Sequence, residues 1–128
     1  MSLSRDRHGF LLTEVMVSLT VLGVLGICIA VTASGVQRLH QALAVRQRCI
    51  AAAQAQIESI VARDTPIHDD KVQALWPGVD LHSELVPGQG QWQGLELIRV
   101  TASARSGRSV IRLTMARYRP LRRQVNEG

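Results

Sequence analysis

With 128 residues the chain has room for one domain and not two. A composition of 46% hydrophobic and 20% charged residues excludes intrinsic disorder as the main state. The formal charge of +5 comes from Arg residues and the single Lys71 scattered along the chain, which reads as a solvated basic surface.

The average hides a split. Val15 to Gln37 contains no Asp, Glu, Lys or Arg, whereas every acid except Asp6 and Glu14 lies from Glu58 onward. That pattern predicts a membrane segment joined to a small polar remainder. The remainder, from Asp64, is close to the lower limit for a domain that folds alone. With so few aromatics (Phe10, Trp76, Trp92, Tyr118) its core is expected to be thin, and a deep active-site cavity is not expected.

The N-terminus reads Arg5-Asp-Arg7-His-Gly9, then Phe10-Leu-Leu-Thr-Glu14, then the apolar run. By the positive-inside rule Arg5 and Arg7 stay cytoplasmic and the C-terminal part lies on the other side. Glu14 is the anomaly. A carboxylate at membrane depth costs about 2.5 kcal/mol or more unless it is paired or sits at the interface. Cys28 and Cys49 fall in a stretch that reads as continuous helix, roughly 30 Å apart at that rise, so they cannot bridge within one chain. Cys28 reads as a small apolar membrane residue, and Cys49 could pair only between chains.

A basic leader, Gly9, Phe10, Leu12, Glu14 and an apolar helix together resemble the class III signal of type IV pilins and type II secretion pseudopilins. The resemblance implies cleavage by a prepilin peptidase after Gly9 and N-methylation of Phe10 as the new first residue. It implies that Glu14 pairs with the N-terminal amine of a neighbouring subunit. It also implies a single-pass protein of the bacterial inner membrane with a periplasmic head, later lifted into a filament by an assembly platform. The partners implied are the peptidase, other pilin or pseudopilin subunits and that platform; no cofactor, metal or catalytic residue is implied. Leu11 and Thr13 depart from the family, which usually places Ser or Thr after the aromatic and an aliphatic residue before the Glu. The stretches Glu14-Val-Met-Val-Ser-Leu and Ala53-Gln-Ala-Gln-Ile-Glu58 are similar to I-type minor pseudopilins and V-type minor pilins. The short head and the lack of a C-terminal Cys pair fit a minor subunit better than the larger major pilins.

Beyond the membrane the helix is predicted to continue, from about Phe10 to Val61, because no proline occurs before Pro66. Val36, Leu43, Ile50 and Ile57 recur every seven residues, with Leu39, Ala53 and Ile60 in a second row that Arg46 interrupts. This stripe is expected to pack on the chain's own head, or on other subunits at a different height. Gly23, Gly26 and Gly35 are points where the helix could bend or melt. The expected organisation is a leader over 1–9, a transmembrane helix over 10–36, an amphipathic continuation over 37–63 and a head over 64–128.

Asp64-Thr-Pro66 should end the long helix. Residues 68–76 read as a short helix stopped by Pro77-Gly78, 80–86 as a strand, and 87–91 as a loop. Two strands, 94–104 and 109–118, flank Arg105-Ser-Gly-Arg108 as a hairpin with Gly107 in the turn. Ile111, Leu113 and Met115 should face the helix, and Arg112, Thr114 and Ala116 should face away. The tail from Arg119 is expected to fray. The fold class is therefore α+β: a long N-terminal helix packed on a small antiparallel sheet, pilin-like.

Chemistry is sparse. The histidines His8, His40, His68 and His82 have no Cys or His at metal spacing. His68-Asp69-Asp70 reads as a solvated helix start. Trp76 and Trp92 read as core or loop anchors. Two other readings compete with a filament subunit. One is an exported domain with an ordinary signal peptide cut after Ala33, although Glu14 and the length of the apolar run oppose it. The other is a DNA-binding accessory pilin using Arg99, Arg105, Arg108, Arg112, Arg117 and Arg119 along the hairpin.

Overall fold

A computed structural model describes residues 5–122, with side chains from Gly9 onward. The elements in chain order are α1 (Arg5–Arg63), α2 (Asp69–Leu75), β1 (Val79–Pro87), a 3-10 turn (Gly90–Trp92), β2 (Leu95–Ser106) and β3 (Ser109–Pro120). The strands form one antiparallel sheet in the order β1-β2-β3. A long helix packs on this sheet, so the class is α+β, as the sequence predicts.

The chain divides into two compact units, Met1–His40 and Gln41–Gly128. The described residues of the first form the N-terminal part of α1, most of it apolar. The second holds the rest of α1, α2 and the sheet. Residues 41–63 therefore group with the sheet, not with the apolar stretch.

In the second unit the core is one cluster. Cys49, Ala52, Ala53, Ile57 and Ile60 of α1 meet Val79 of β1 and Ile98, Val100, Ala102 and Ala104 of β2. Val45, Trp76, Leu81, Leu113 and Met115 pack around it, half-buried. β2 supplies the most deeply buried face because it is the central strand. Alternation puts Ile98, Val100, Ala102 and Ala104 on one side and Arg99, Thr101 and Ser103 on the other. As expected, Leu113 and Met115 of β3 face the same core, while Arg112, Thr114 and Ala116 are exposed. Thr101 and Thr114, directly opposed, bring their hydroxyls to 3.2 Å on the outer face.

The buried face of α1 coincides with the seven-residue stripe only in part. Ala53, Ile57 and Ile60 are buried, Ile50 is half-buried, and Val36, Leu39 and Leu43 are exposed. The face that meets the sheet carries Val45, Cys49, Ala52, Ala53, Gln56, Ile57 and Ile60, a spacing of three and four. At 100° per residue Leu43 and Ile50 stand roughly 60–80° to one side of Ala53, which removes them from the contact. Small residues (Cys49, Ala52, Ala53) occupy the middle of this face and are fully buried there.

The ends of α1 and α2 are fixed by local bonds. Asp64 adopts a left-handed backbone (φ 61°) and donates its N–H to the Ile60 carbonyl at 3.0 Å, which closes α1. Buried Gln56 accepts from the Ile67 N–H at 3.0 Å through Oε1, pinning the chain as it leaves the helix. Gln73 brackets the next turn. Its Nε2 donates to the Val79 carbonyl at 3.0 Å, and its Oε1 accepts from the Gly78 N–H at 3.2 Å. The hairpin turn is tighter than expected: β2 and β3 run up to Ser106 and Ser109, leaving Gly107 and Arg108 as the turn. Gly107 has φ 60°, the conformation a type II′ turn asks of its first central residue.

The expectation of a frayed tail from Arg119 is corrected. Arg119 and Pro120 belong to β3, and the Leu121 N–H donates to the Gly94 carbonyl at 2.9 Å. The fraying expected of 123–128 falls outside the described residues.

Candidate functional site: the N-terminal segment of α1

Every candidate residue for processing and assembly lies on α1. Gly9, Phe10 and Glu14 are helical and exposed, and Phe10 presents 74% of its surface. Phe10 and Glu14 are four residues apart, so they share one face of the helix. Glu14 borders an open apolar groove with Leu11, Val15, Ser18 and Leu22. Among the described residues it makes no ion pair. The side chains of Arg5 and Arg7 lie outside the described set.

This stretch has the physical character of a membrane span. From Gly9, α1 is long and apolar enough to cross a bilayer, and none of the apolar stretch is buried within the chain. Four of its hydroxyls are satisfied on the helix itself. Thr13 donates to the Gly9 carbonyl at 2.9 Å, Thr20 to Met16 at 2.8 Å, Thr32 to Cys28 at 2.8 Å and Ser34 to Ala30 at 2.9 Å. Such back-bonds hide a hydroxyl that hydrocarbon cannot solvate. Val31 to Ser34, the alternative cleavage segment, is helical as well.

The exposed Val36 and Leu39 lie in the first unit, and exposed Leu43 begins the second. Of the remaining stripe residues, Ala53, Ile57 and Ile60 are buried against the sheet, and Ile50 is half-buried beside them. The structure thus separates a set that the chain covers itself from a set that it leaves open.

The hairpin arginines are not a uniform row. Arg99 pairs with Glu84 at 3.3 Å on the outer face. Arg119 is consumed by a cluster. Its Nε and Nη2 lie 2.8 and 2.7 Å from Glu96 Oε2, it pairs with Asp64, and its Nη1 donates to the Ile60 carbonyl at 2.8 Å. The hydrogen bond it donates to Glu96 pushes the guanidinium pKa up further, against the opposing effect of burial. Arg122 adds a weaker contact with Asp64 at 3.5 Å. Strand parity could have placed Arg119 here, since it shares a face with Ile111, Leu113 and Met115.

Cys49 is fully buried in the core, and burial raises its thiol pKa. Cys28 is exposed on the apolar part of α1. Among the described residues no group of three or more His, Cys, Asp or Glu comes together. Trp76 is half-buried against the core, while Trp92 stacks on Tyr118 with ring centroids 5.0 Å apart.

Comparison of the chain with protein-family models, with curated proteins and with solved structures gives no match.

Proposed function

We propose that this chain is a minor pilin or pseudopilin, a structural subunit of a type II secretion pseudopilus or a type IV pilus. The observation that carries the reading is Gly9-Phe10 followed by Glu14 at the entrance of a helix that can cross a bilayer. The basic leader stays cytoplasmic by the positive-inside rule, and the sheet-bearing unit lies in the periplasm. A prepilin peptidase hydrolyses the Gly9–Phe10 bond, and Phe10 becomes an N-methylated terminus. Removal of the leader takes Arg5 and Arg7 with Asp6 and leaves a new cationic amine beside the membrane helix.

That amine gives Glu14 a partner. An unpaired carboxylate is costly in hydrocarbon, and an amine from an adjacent subunit cancels the charge at one register only. Val36, Leu39 and Leu43, which the single chain leaves exposed, extend the seam between neighbouring helices. The subunit itself performs no chemistry in this reading; it waits in the inner membrane and is lifted by an assembly platform.

The test is intact mass and N-terminal peptide mapping of the chain expressed with and without a prepilin peptidase. A product beginning at N-methylated Phe10, formed only with the peptidase, supports the reading. A product beginning at Ser34 replaces it with an exported domain, and an uncut chain under both conditions removes it.

A further inference from the structure

The bond proposed for cleavage lies inside a helix. α1 starts at Arg5, so the Gly9 carbonyl sits within its first turns, where the helical ladder assigns it the Thr13 N–H. The Thr13 hydroxyl adds a second bond to the same oxygen at 2.9 Å. A protease must take its substrate from the locally opened chain, and cleavage then follows the population of that opened form. Gly9 favours opening, since glycine is a poor helix former and no atom lies near its absent Cβ. Thr13 opposes it.

Resting on the processing reading above, the geometry points to Thr13 as a positioning residue that holds the Gly9 carbonyl in the helix and slows leader removal. Thr13 occupies the place before Glu14 where the resembling family has an aliphatic side chain, which cannot make this bond. During hydrolysis one water is consumed. Its oxygen joins the Gly9 carbonyl carbon, the C–N bond breaks, and the nitrogen leaves as the Phe10 amine with the proton. Before that carbon can be attacked, the carbonyl must be released from both Thr13 donors. The backbone donor is common to every helical substrate; the hydroxyl is particular to this chain.

The test measures the rate of leader removal from the full chain in membranes containing a prepilin peptidase. Four chains are compared: wild type, Thr13→Val, Thr13→Ser and Thr20→Val. Valine keeps the β-branched shape and a similar helix propensity while deleting the donor. Serine keeps the donor. Thr20→Val removes an equivalent back-bond, to Met16, away from the cut. Thr13→Val is expected to be cut about two- to tenfold faster, the range that one neutral hydrogen bond commands. Thr13→Ser and Thr20→Val should stay within twofold of wild type. A Thr13→Val rate at or below wild type overturns the role of Thr13 while leaving the processing reading intact. Equal acceleration in Thr20→Val also overturns it, because the effect would then be general loosening of the helix. A wild-type chain that is not cut after Gly9 overturns both.

Discussion

Arg119 Nη1 donates to the Ile60 carbonyl at 2.8 Å, joining the end of the last strand to a helical turn 59 residues earlier in the chain. The same guanidinium holds Glu96 and Asp64, so one side chain ties together β2, β3 and the C-terminal end of α1. Its side chain is only 16% exposed, and that of Glu96 19%, so water screens this cluster far less than a surface pair.

Arg119→Ala should destabilise the second unit by about 2 kcal/mol, the scale of charge-assisted bonds that lose their donor. Both tryptophans, Trp76 and Trp92, lie in this unit, so their fluorescence follows its unfolding by denaturant in detergent micelles. Arg119→Lys should recover only part of the loss, since an ammonium cannot span all three acceptors with a planar fork. Arg99→Ala is the contrast. Its pair with Glu84 is about half exposed on both sides, and its removal should change stability by under about 0.5 kcal/mol. Equal effects of the two alanine changes would contradict the clamp.

Cys49 predicts a pH dependence. Burial raises its thiol pKa above the ordinary 9.0, so the folded chain keeps a proton that the unfolded chain has lost. The contribution is fully present below pH 9.0 and is lost as pH rises through the higher folded value. Denaturation midpoints under reducing conditions should therefore fall above that pH, and more steeply in wild type than in Cys49→Ala. The substitution itself should cost about 1 kcal/mol at neutral pH for the small cavity it leaves. Parallel curves for the two proteins from pH 7 to 10 would show that the thiol does not contribute.

Element type and order were legible because they rest on strong local signals: an apolar run without charge, a proline after Asp64, and alternation around Gly107. The buried face of α1 was legible only in part. The seven-residue stripe contains Ala53, Ile57 and Ile60, which are buried, and Val36, Leu39 and Leu43, which the chain leaves exposed, but it does not contain Cys49, Ala52 and Gln56. Small buried residues such as Ala52 and a buried polar one such as Gln56 stand out less than Leu, Ile or Val in a pattern of large aliphatic side chains. Arg119 was missed for the opposite reason. A basic residue near the end of a chain looks solvated, and only its strand parity and three acceptors from distant parts of the sequence reveal otherwise. On the candidate site, Gly9, Phe10 and Glu14 were legible as a motif, whereas the bond from Thr13 to Gly9 needed coordinates.

The packing of α1 can be tested at a small residue that is fully buried. Ala53 is fully buried in the cluster that joins helix to sheet. Ala53→Leu should cost about 1–3 kcal/mol by overpacking, even though leucine is a good helix former and more apolar. Leu43→Ala, at an exposed position, should leave the isolated chain within about 0.5 kcal/mol of wild type. A stabilised Ala53→Leu protein would mean that the interface has room which the buried small residues do not indicate.

Gly88 is required by contact, not by backbone angle. A Cβ there would overlap the Trp92 carbonyl oxygen and lie 2.8 Å from the Leu95 carbonyl oxygen. The Gly88 N–H also donates to Leu95 at 2.8 Å, which folds the 3-10 turn back beside β2. Gly88→Ala must therefore displace backbone, with an expected cost of about 1–3 kcal/mol. The Trp92–Tyr118 stack sits on this turn and should loosen with it. A shift in Trp92 fluorescence, read in a Trp76→Phe background, together with lowered stability is the expected result; unchanged emission and midpoint would show that the turn has another way to close.

Glu14 separates the energetics of the lone chain from those of the proposed filament, because the two predict opposite signs. In a membrane-embedded monomer an unpaired carboxylate costs about 2.5 kcal/mol or more at depth, so Glu14→Leu should hold at least as firmly in the bilayer as wild type. In the filament reading Glu14 meets the amine of a neighbouring Phe10, and Glu14→Leu leaves that cation in hydrocarbon without a partner. Leader cleavage after Gly9 should persist in the variant, while cross-linking to neighbouring subunits through their N-terminal helices should be lost. Glu14→Gln keeps a hydrogen-bond acceptor without the charge and should fall between. If Glu14→Leu is processed, stays in the membrane and still cross-links as well as wild type, Glu14 does not set the register of assembly, and its place at the head of the apolar run is interfacial.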